Sequence, residues 1–458
     1  ISAWMSGLIG RKRFYMSCVA LFTVSSFLCG VAPSLSALII CRVMQGAGGG
    51  GLQPSEQAIL ADTFAPEKFG MAFAMYGMAV VLAPAIGPTL GGYITDHFNW
   101  RWIFFINVPI GALSLLLTYR MVEDPAYLKN QKGAGRRWAA IDYIGLGLIA
   151  LGLGCLQIVL DKGQEDDWLR SHFIATLAAI FALSLIAFVL WERRQKNPVV
   201  DLKLFQDRTF ATAVLMMFVV GISLYGSTVL LPLFLQQLMG YTAQLSGMVL
   251  SPGGLAIMLM MPLVGILISQ VQARGLIAVG FGITALALFQ TANINLAIDF
   301  KTVLLYRVYQ SIGLAFLFVP INTIAYIGMP REKNNQISSI INLARNIGAS
   351  VGVSIVTTMV ARRSQVHQDT LAIHVTHYHR AVGKAVHGLS AILSHKGLSS
   401  TGAVQQAYGR IYGQVQMQAA TQAYVDTIWL LGALSLLMLP LVFLLKKNDP
   451  RQARAIAH

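Results

Sequence analysis

The sequence predicts an all-α protein threaded many times through a lipid bilayer, and three observations carry that prediction. The 458 residues are 55% apolar and only 12% charged, about half the charged share of an ordinary soluble domain. Apolar runs of roughly 18 to 25 residues, each long enough to cross about 30 Å of hydrocarbon, recur along nearly the whole chain. Lys and Arg collect in alternate connections between those runs, as cytoplasmic loops require.

Taken in order, the spans fall at 14–32, 35–60, 70–95, 101–120, 141–160, 172–191, 210–235, 246–269, 275–293, 302–328, 337–361 and 426–446. They make twelve complete helices after a short opening stub that runs into Arg11, Lys12 and Arg13. That stub leads to the expectation that most of one helix precedes Ile1; no signal peptide is legible. With Arg11 to Arg13 in the cytoplasm and sides alternating, the inner segments collect Lys68, Arg120, Arg193, Arg194, Lys203, Arg208, Arg274, Lys333 and Lys446 among others. The short outer loops hold Arg101, Lys162, Arg170 and Lys301. A missed or invented span would scramble this asymmetry, so the helix count and the orientation support each other.

The net charge of +15 therefore belongs to topology. It forms no basic patch with interleaved aromatics, which excludes a nucleic-acid surface. Cys18, Cys29, Cys41 and Cys155 lie within apolar runs, without the paired spacing of a zinc site or a disulfide framework, and act as small hydrophobes. No cofactor or metal is implied.

Polar, basic stretches at 121–140 and 192–209 bracket the helices 141–160 and 172–191, which look like an inserted pair. The outer connection 362–425 is far longer than the usual loop and rich in Gln, His, Ala and Ser. An internal repeat is also visible: Arg42-Val43-Met44-Gln45-Gly46 and Arg307-Val308-Tyr309-Gln310-Ser311 each lie in an apolar helix and precede a proline, Pro54 and Pro320. The chain divides accordingly into an N-terminal half (1–120), the inserted segment (121–209), a C-terminal half (210–446) and a cytoplasmic tail (447–458).

Charges inside the spans are few: Arg42, Glu56, Arg307 and Arg345. Each costs on the order of 3 kcal/mol or more unless paired or wet. At 100° per residue, Arg42, Gln45, Gly46, Gly49, Gln53 and Glu56 fall on one polar stripe of helix 35–60, which should line a cavity. Glu56 is either a desolvated proton carrier or an ordinary acid at the cytoplasmic mouth. Arg307 and Arg345 are either packing anchors or parts of the gates in the C-terminal half.

In span 70–95, Pro84-Ala85-Ile86-Gly87-Pro88-Thr89-Leu90-Gly91-Gly92 sets Gly87 and Gly91 on one helical face, a close-packing surface, while the prolines remove backbone hydrogen bonds and bend the helix. This run resembles the antiporter motif of major facilitator drug exporters. Asn99-Trp100-Arg101-Trp102-Ile103-Phe104-Phe105-Ile106-Asn107-Val108-Pro109 resembles the start of the following helix in the fourteen-helix EmrB/QacA-type branch. The resemblance covers essentially the whole chain. It implies two six-helix halves plus the inserted pair, with the first helix and half of the second missing.

The stub resembles that branch's cytoplasmic loop motif at Gly10, Arg11 and Lys12, but has Ala3 and Gly7 where glycine and aspartate are usual. The resemblance makes Arg42 a proton-transfer or gate-stabilising arginine; its alternative is a snorkelling side chain. It also implies proton-driven export of lipophilic drugs or toxic compounds from a bacterial inner membrane, completed by a periplasmic adaptor and an outer-membrane channel. A nutrient or siderophore symporter of the same fold, or a transport-inactive scaffold, are the other readings. No P-loop or nucleophile triad points to an ATP-driven pump or an enzyme. Tyr76, Met78, Tyr225, Phe234, Met258, Met260 and Phe318 offer an adaptable apolar lining. His374, His377 and His379 lie in the long outer connection, read as a solvated loop or a docking surface.

Overall fold

The computed structural model describes residues 5–6, 9–65, 68–124, 142–195, 198, 200–376 and 379–446, apart from the side chains of 81–85, 88–89, 96 and 331. Ala3, Gly7, His377, most of the first linker and the tail 447–458 lie outside the described residues. Within them the regular structure is helical throughout. The N-terminal half comprises α1 (Arg11–Val31), α2 (Leu35–Gly49), α3 (Leu52–Thr63), α4 (Phe69–His97), the single turn α5 (Trp102–Phe105) and α6 (Asn107–Met121). The inserted pair is α7 (Tyr143–Lys162) and α8 (His172–Glu192). The C-terminal half comprises α9 (Arg208–Gln237), α10 (Ala243–Leu267), α11 (Ala273–Thr291), α12 (Phe300–Tyr326), α13 (Asn334–His374), α14 (Arg380–His395) and α15 (Ser400–Leu437).

Among the described residues, eleven helical segments are long and apolar enough to cross a membrane, and the remaining expected span coincides with the 29-residue α4. Short polar residues start many of these helices by accepting a backbone N–H: Ser34 from Ala37, Asp142 from Gly145, Asp207 from Thr209, Thr242 from Leu245 and Asp299 from Thr302. The inserted pair is tied at its inner end, where Trp191 Nε1 donates to Asp142 at 2.8 Å. It touches the C-terminal half through Ser350, which donates to Gln157 at 2.7 Å.

Two expectations need correction. The span 35–60 is not one uninterrupted helix: it breaks at Gly50–Gly51 between α2 and α3. Pro54 has no N–H to return to the Gly50 carbonyl, and the glycine run before it offers little resistance. The polar stripe drawn at a constant 100° per residue is therefore divided at that point. The connection 362–425 is not an irregular loop either. The 41 residues of α13 reach roughly 60 Å at 1.5 Å each, well beyond the hydrocarbon. The amphipathic α14 then folds back so that Val386 and Leu393 bury against Ala403 and Ala407 of α15. At the base of this helical extension Asp426 accepts from Arg363 Nε at 2.7 Å and pairs with His367 Nε2 at 2.8 Å.

The largest core cluster does not sit inside either half. It joins Ala61, Phe69, Phe73, Ala74 and Tyr76 of α3 and α4 to Met261, Phe318, Ile321, Ile324, Tyr326, Ile337 and Ile341 of the C-terminal half. With the basic ends placed in the cytoplasm, this seam lies at the inner ends of the helices.

Candidate functional site

At the inner seam the halves approach to backbone contact. A Cβ on Gly265 would lie 2.9 Å from the Gly70 carbonyl oxygen, and one on Gly77 would lie 2.9 Å from the Phe318 ring. Glycine is required there because a side chain would force α4 and α10 apart. Beside this contact Phe73 stacks on Tyr326 at 5.3 Å between ring centroids, and Tyr76 on Phe318 at 6.3 Å.

A polar network crosses the seam next to these rings. Gln57 Nε2 donates to Asn322 Oδ1 at 3.2 Å, and Asn342 Nδ2 donates to Gln57 Oε1 at 2.7 Å. Arg345 donates through Nη2 to Gln53 Oε1 and, at 2.8 Å, to Asn342 Oδ1, with its guanidinium over the Phe318 ring at 5.7 Å. Glu56 stands one turn from Gln53 and accepts from the Tyr15 hydroxyl at 3.1 Å. Nearer the cytoplasm, Arg11 is buried, pairs with Asp62 and donates to the Ala58 carbonyl at 2.9 Å. Asn334 and Asn335, at the start of α13, donate to Asp62 at 3.0 Å and to Ser6 at 2.8 Å.

The loop motif residues thus have distinct geometric roles. Arg11 links α1 to the end of α3. Lys12 donates its backbone N–H to Asp124 at 3.0 Å and its ammonium to the Tyr119 carbonyl at 2.6 Å. Gly10 has φ +93°, and a Cβ there would meet the Asp124 carboxylate at 2.7 Å. Both the conformation and the space admit only glycine without strain.

The remaining expected site residues do not converge on this network. Arg42 is exposed near the outer side; its Nη1 donates to the buried Gln45 at 2.8 Å, and it lies 5.7 Å from the Phe104 ring. Arg307 is buried near the outer end of α12. Its Nη1 donates to Gln310 at 2.9 Å and Ser227 at 3.0 Å, and its Nη2 to Thr228 at 2.8 Å. The repeated Arg-Val-x-Gln segments therefore make the same intrahelical bond, one exposed and one enclosed.

The close packing expected at Gly87, Gly91 and Gly92 is absent in this arrangement, since a Cβ on any of them meets nothing within 4 Å. The helices α4 and α10 touch at their inner ends, and Gly87, Gly91 and Gly92 lie in the outer segment of α4, whereas the side chains of Pro84 and Pro88 lie outside the described residues. Of the aromatic and Met candidates, Tyr76 and Phe318 join the seam, Phe234 packs on Tyr424 in the C-terminal core, and Met258 is exposed.

Sequence reasoning missed Gln57, Asn322, Tyr15, Asp62 and the Gly70–Gly265 approach. Gln57 lies one turn beyond Gln53, and Asn322 is an amide in an apolar helix two residues after Pro320. Those signals were present, whereas nothing in the sequence paired Gly70 with Gly265.

Comparison with known proteins agrees with this architecture. Residues 1–353 match the family model of the Major Facilitator Superfamily. Among curated relatives, the Multidrug export protein EmrB of Haemophilus influenzae is 37% identical over 96% of this chain and 84% of its own length. The EmrB protein of Escherichia coli is 33% identical over 97% of this chain and 84% of its own. The Fatty acid resistance protein FarB of Neisseria gonorrhoeae is 33% identical over 97% and 85%. Two solved structures share the fold: the human organic anion transporter MFSD10 (TM-score 0.58, 13% identity, covering 96% of this chain and 79% of that one) and a XylE double-Trp mutant (TM-score 0.58, 14% identity, 98% and 83%). A multi-pass inner-membrane transporter with two packed helical halves, this chain belongs to the major facilitator superfamily and, within it, to the EmrB family.

Proposed function

We propose that this protein is a proton-coupled antiporter that exports lipophilic drugs or toxic compounds by alternating access, its halves 1–120 and 210–446 rocking about the inner seam. The observation that carries the reading is the position of Glu56. It is an acid within a span, held by a single tyrosine hydroxyl at 3.1 Å, on the same helix as Gln53 and Gln57, which bind the opposite half.

A carboxylate there changes charge on the helix whose Gln53 and Gln57 hold the opposite half. An ionised carboxylate in a span costs on the order of 3 kcal/mol or more unless paired or wet, so the ionised form favours the arrangement that lets water reach it. Protonation favours closure. This links proton loading to facing without any contact between proton and substrate.

The names of the relatives, two multidrug exporters and a fatty acid resistance protein, support export of small lipophilic molecules. The outward extension of α13, α14 and α15 offers the surface for a periplasmic adaptor, which an outer-membrane channel would complete. The test is pH-gradient-driven dye efflux from proteoliposomes with intact and Glu56→Gln protein. Efflux should need the gradient and lose it as a driving force in the variant. Efflux without any gradient refutes antiport, and unchanged coupling in the variant removes Glu56 from it.

A further inference from the structure

We infer that Arg345 holds the head group of a lipophilic carboxylate, taking it up when the inner seam opens. The inference rests on the antiport reading and names the class of its cargo. Arg345 is only 2% exposed, yet its hydrogen-bond partners are the neutral amide oxygens of Gln53 and Asn342, and its Nε, also buried, has none. Glu56, one turn from Gln53 on α3, accepts instead from Tyr15. Among the described residues, no carboxylate pairs with this guanidinium.

The arrangement of its donors matters. Nη2 is occupied by Gln53 and Asn342, and Nε beside it is vacant. Nε and Nη2 form one edge of the guanidinium fork, the edge that a carboxylate engages with two parallel bonds. Gln53 belongs to the opposite half, so parting of the halves removes it from Nη2 and leaves that edge open. Asn342 stays on the same helix as Arg345 and keeps the guanidinium in place.

Next to the fork lies an aromatic wall, with the Tyr76 hydroxyl turned toward Arg345. Phe318 lies beneath the guanidinium at 5.7 Å, with Tyr76 stacked on it from the N-terminal half. A molecule with a carboxylate head and a flat or flexible apolar body matches this juxtaposition, and its departure lets Gln53 return and the seam close. Arg307 does not serve this way. Its covering groups Ser227, Thr228 and Gln310 all belong to its own half, so rocking does not uncover it.

The test uses the full chain in detergent with 11-(dansylamino)undecanoic acid and its primary amide, which share a body and differ at the head. The wild type should bind the acid at least tenfold more tightly than the amide, and Arg345→Gln should erase that preference. Gln53→Leu, which removes the competing acceptor, should tighten acid binding at least threefold. Equal affinity for acid and amide in the wild type overturns the inference, as does a preference that survives Arg345→Gln. If Arg345→Gln fails to fold, unchanged or weaker acid binding by Gln53→Leu overturns it instead. Gradient-driven dye efflux by wild-type protein with no head-group preference refutes the carboxylate site and leaves the antiport reading standing. Head-group preference without gradient-driven efflux has the opposite meaning.

Discussion

Replacing Gln57 by leucine should open the cytoplasmic side. Gln57 is fully buried and bridges two helices of the opposite half, donating to Asn322 and accepting from Asn342. Asn342 Nδ2 keeps a second acceptor, the Ser338 carbonyl at 2.9 Å, whereas among the described residues Asn322 Oδ1 accepts from Gln57 alone. Leucine thus deletes both bonds; the one to Asn322 is worth about 1 kcal/mol and the buried acceptor it strands about 1–3 kcal/mol, which sets a loss of at least about 2 kcal/mol before the Asn342 bond is counted. Water satisfies these groups once the halves part, so that loss falls on the closed arrangement. At about 1.4 kcal/mol per factor of ten, the closed-to-open ratio drops at least about thirtyfold. Spin labels on Lys68 and Gln270, placed in a background without the four native cysteines, report the separation of the inner ends by electron double resonance. A distance distribution unchanged from that of the parent, in protein that remains folded, would refute the claim that this amide bridge sets closure.

Gly265→Val should block the same closure by steric means, because even its Cβ would reach 2.9 Å from the Gly70 carbonyl; expected are normal membrane insertion, inner ends held apart and lost dye efflux, and retained efflux counts against the contact. The acid limb of stability should depend on cytoplasmic-side carboxylates. Burial raises the pKa of Asp207, but the Lys446 ammonium at 2.6 Å and the N–H groups of Phe210 and Thr209 outweigh it and hold the carboxyl below its usual range. Asp201 is lowered likewise, burial being outweighed by Lys333. A depressed folded pKa gives stability that is present above the ordinary carboxylate range near about 4 and lost as pH falls through the folded value. The melting temperature should therefore fall with acidification below that range, and the fall should be shallower in Asp207→Asn. Asp142→Ala removes both the α7 cap and the Trp191 bond, costing about 1–2 kcal/mol; differential hydrogen exchange should rise at the start of α7 and leave α12 unchanged.

The fold was legible because membrane helices announce themselves twice, by apolar length and by the sidedness of their basic residues. The twelve expected spans agree with the helices to within a few residues at most ends. What misled was the assumption of uniform geometry: one Pro54 and a glycine run broke the stripe of helix 35–60, and low hydropathy concealed the helical segments of α13, α14 and α15 within 362–425. Composition distinguishes lipid from water, not loop from solvated helix. The site was legible only in part. Gln53, Glu56 and Arg345 stood out as polar residues in apolar helices, but their pairing depends on how two halves meet. Sequence spacing along either half carries no information about that meeting.

The seam and the static joints use different chemistry, and the difference follows from what each must do. Arg11–Asp62 joins segments of the N-terminal half, while Asp201–Lys333, Asp207–Lys446 and Arg363–Asp426 join segments on the C-terminal side. These contacts need not separate during rocking, and breaking a buried one strands a charge at about 3–5 kcal/mol. Across the seam, Gln57 meets Asn322 and Asn342, Gln53 meets Arg345, and Phe73 meets Tyr326. Each of these contacts has a neutral group on at least one side, and a neutral bond exchanges for water at about 0.5–1.5 kcal/mol net. A carboxylate in place of Gln53 would bind Arg345 far more strongly and hold the inner side shut. On this argument Gln53→Glu should slow transport by locking closure rather than by disrupting the fold. The signature is a raised melting temperature together with reduced efflux, and lowered values of both would show that the amide serves packing alone.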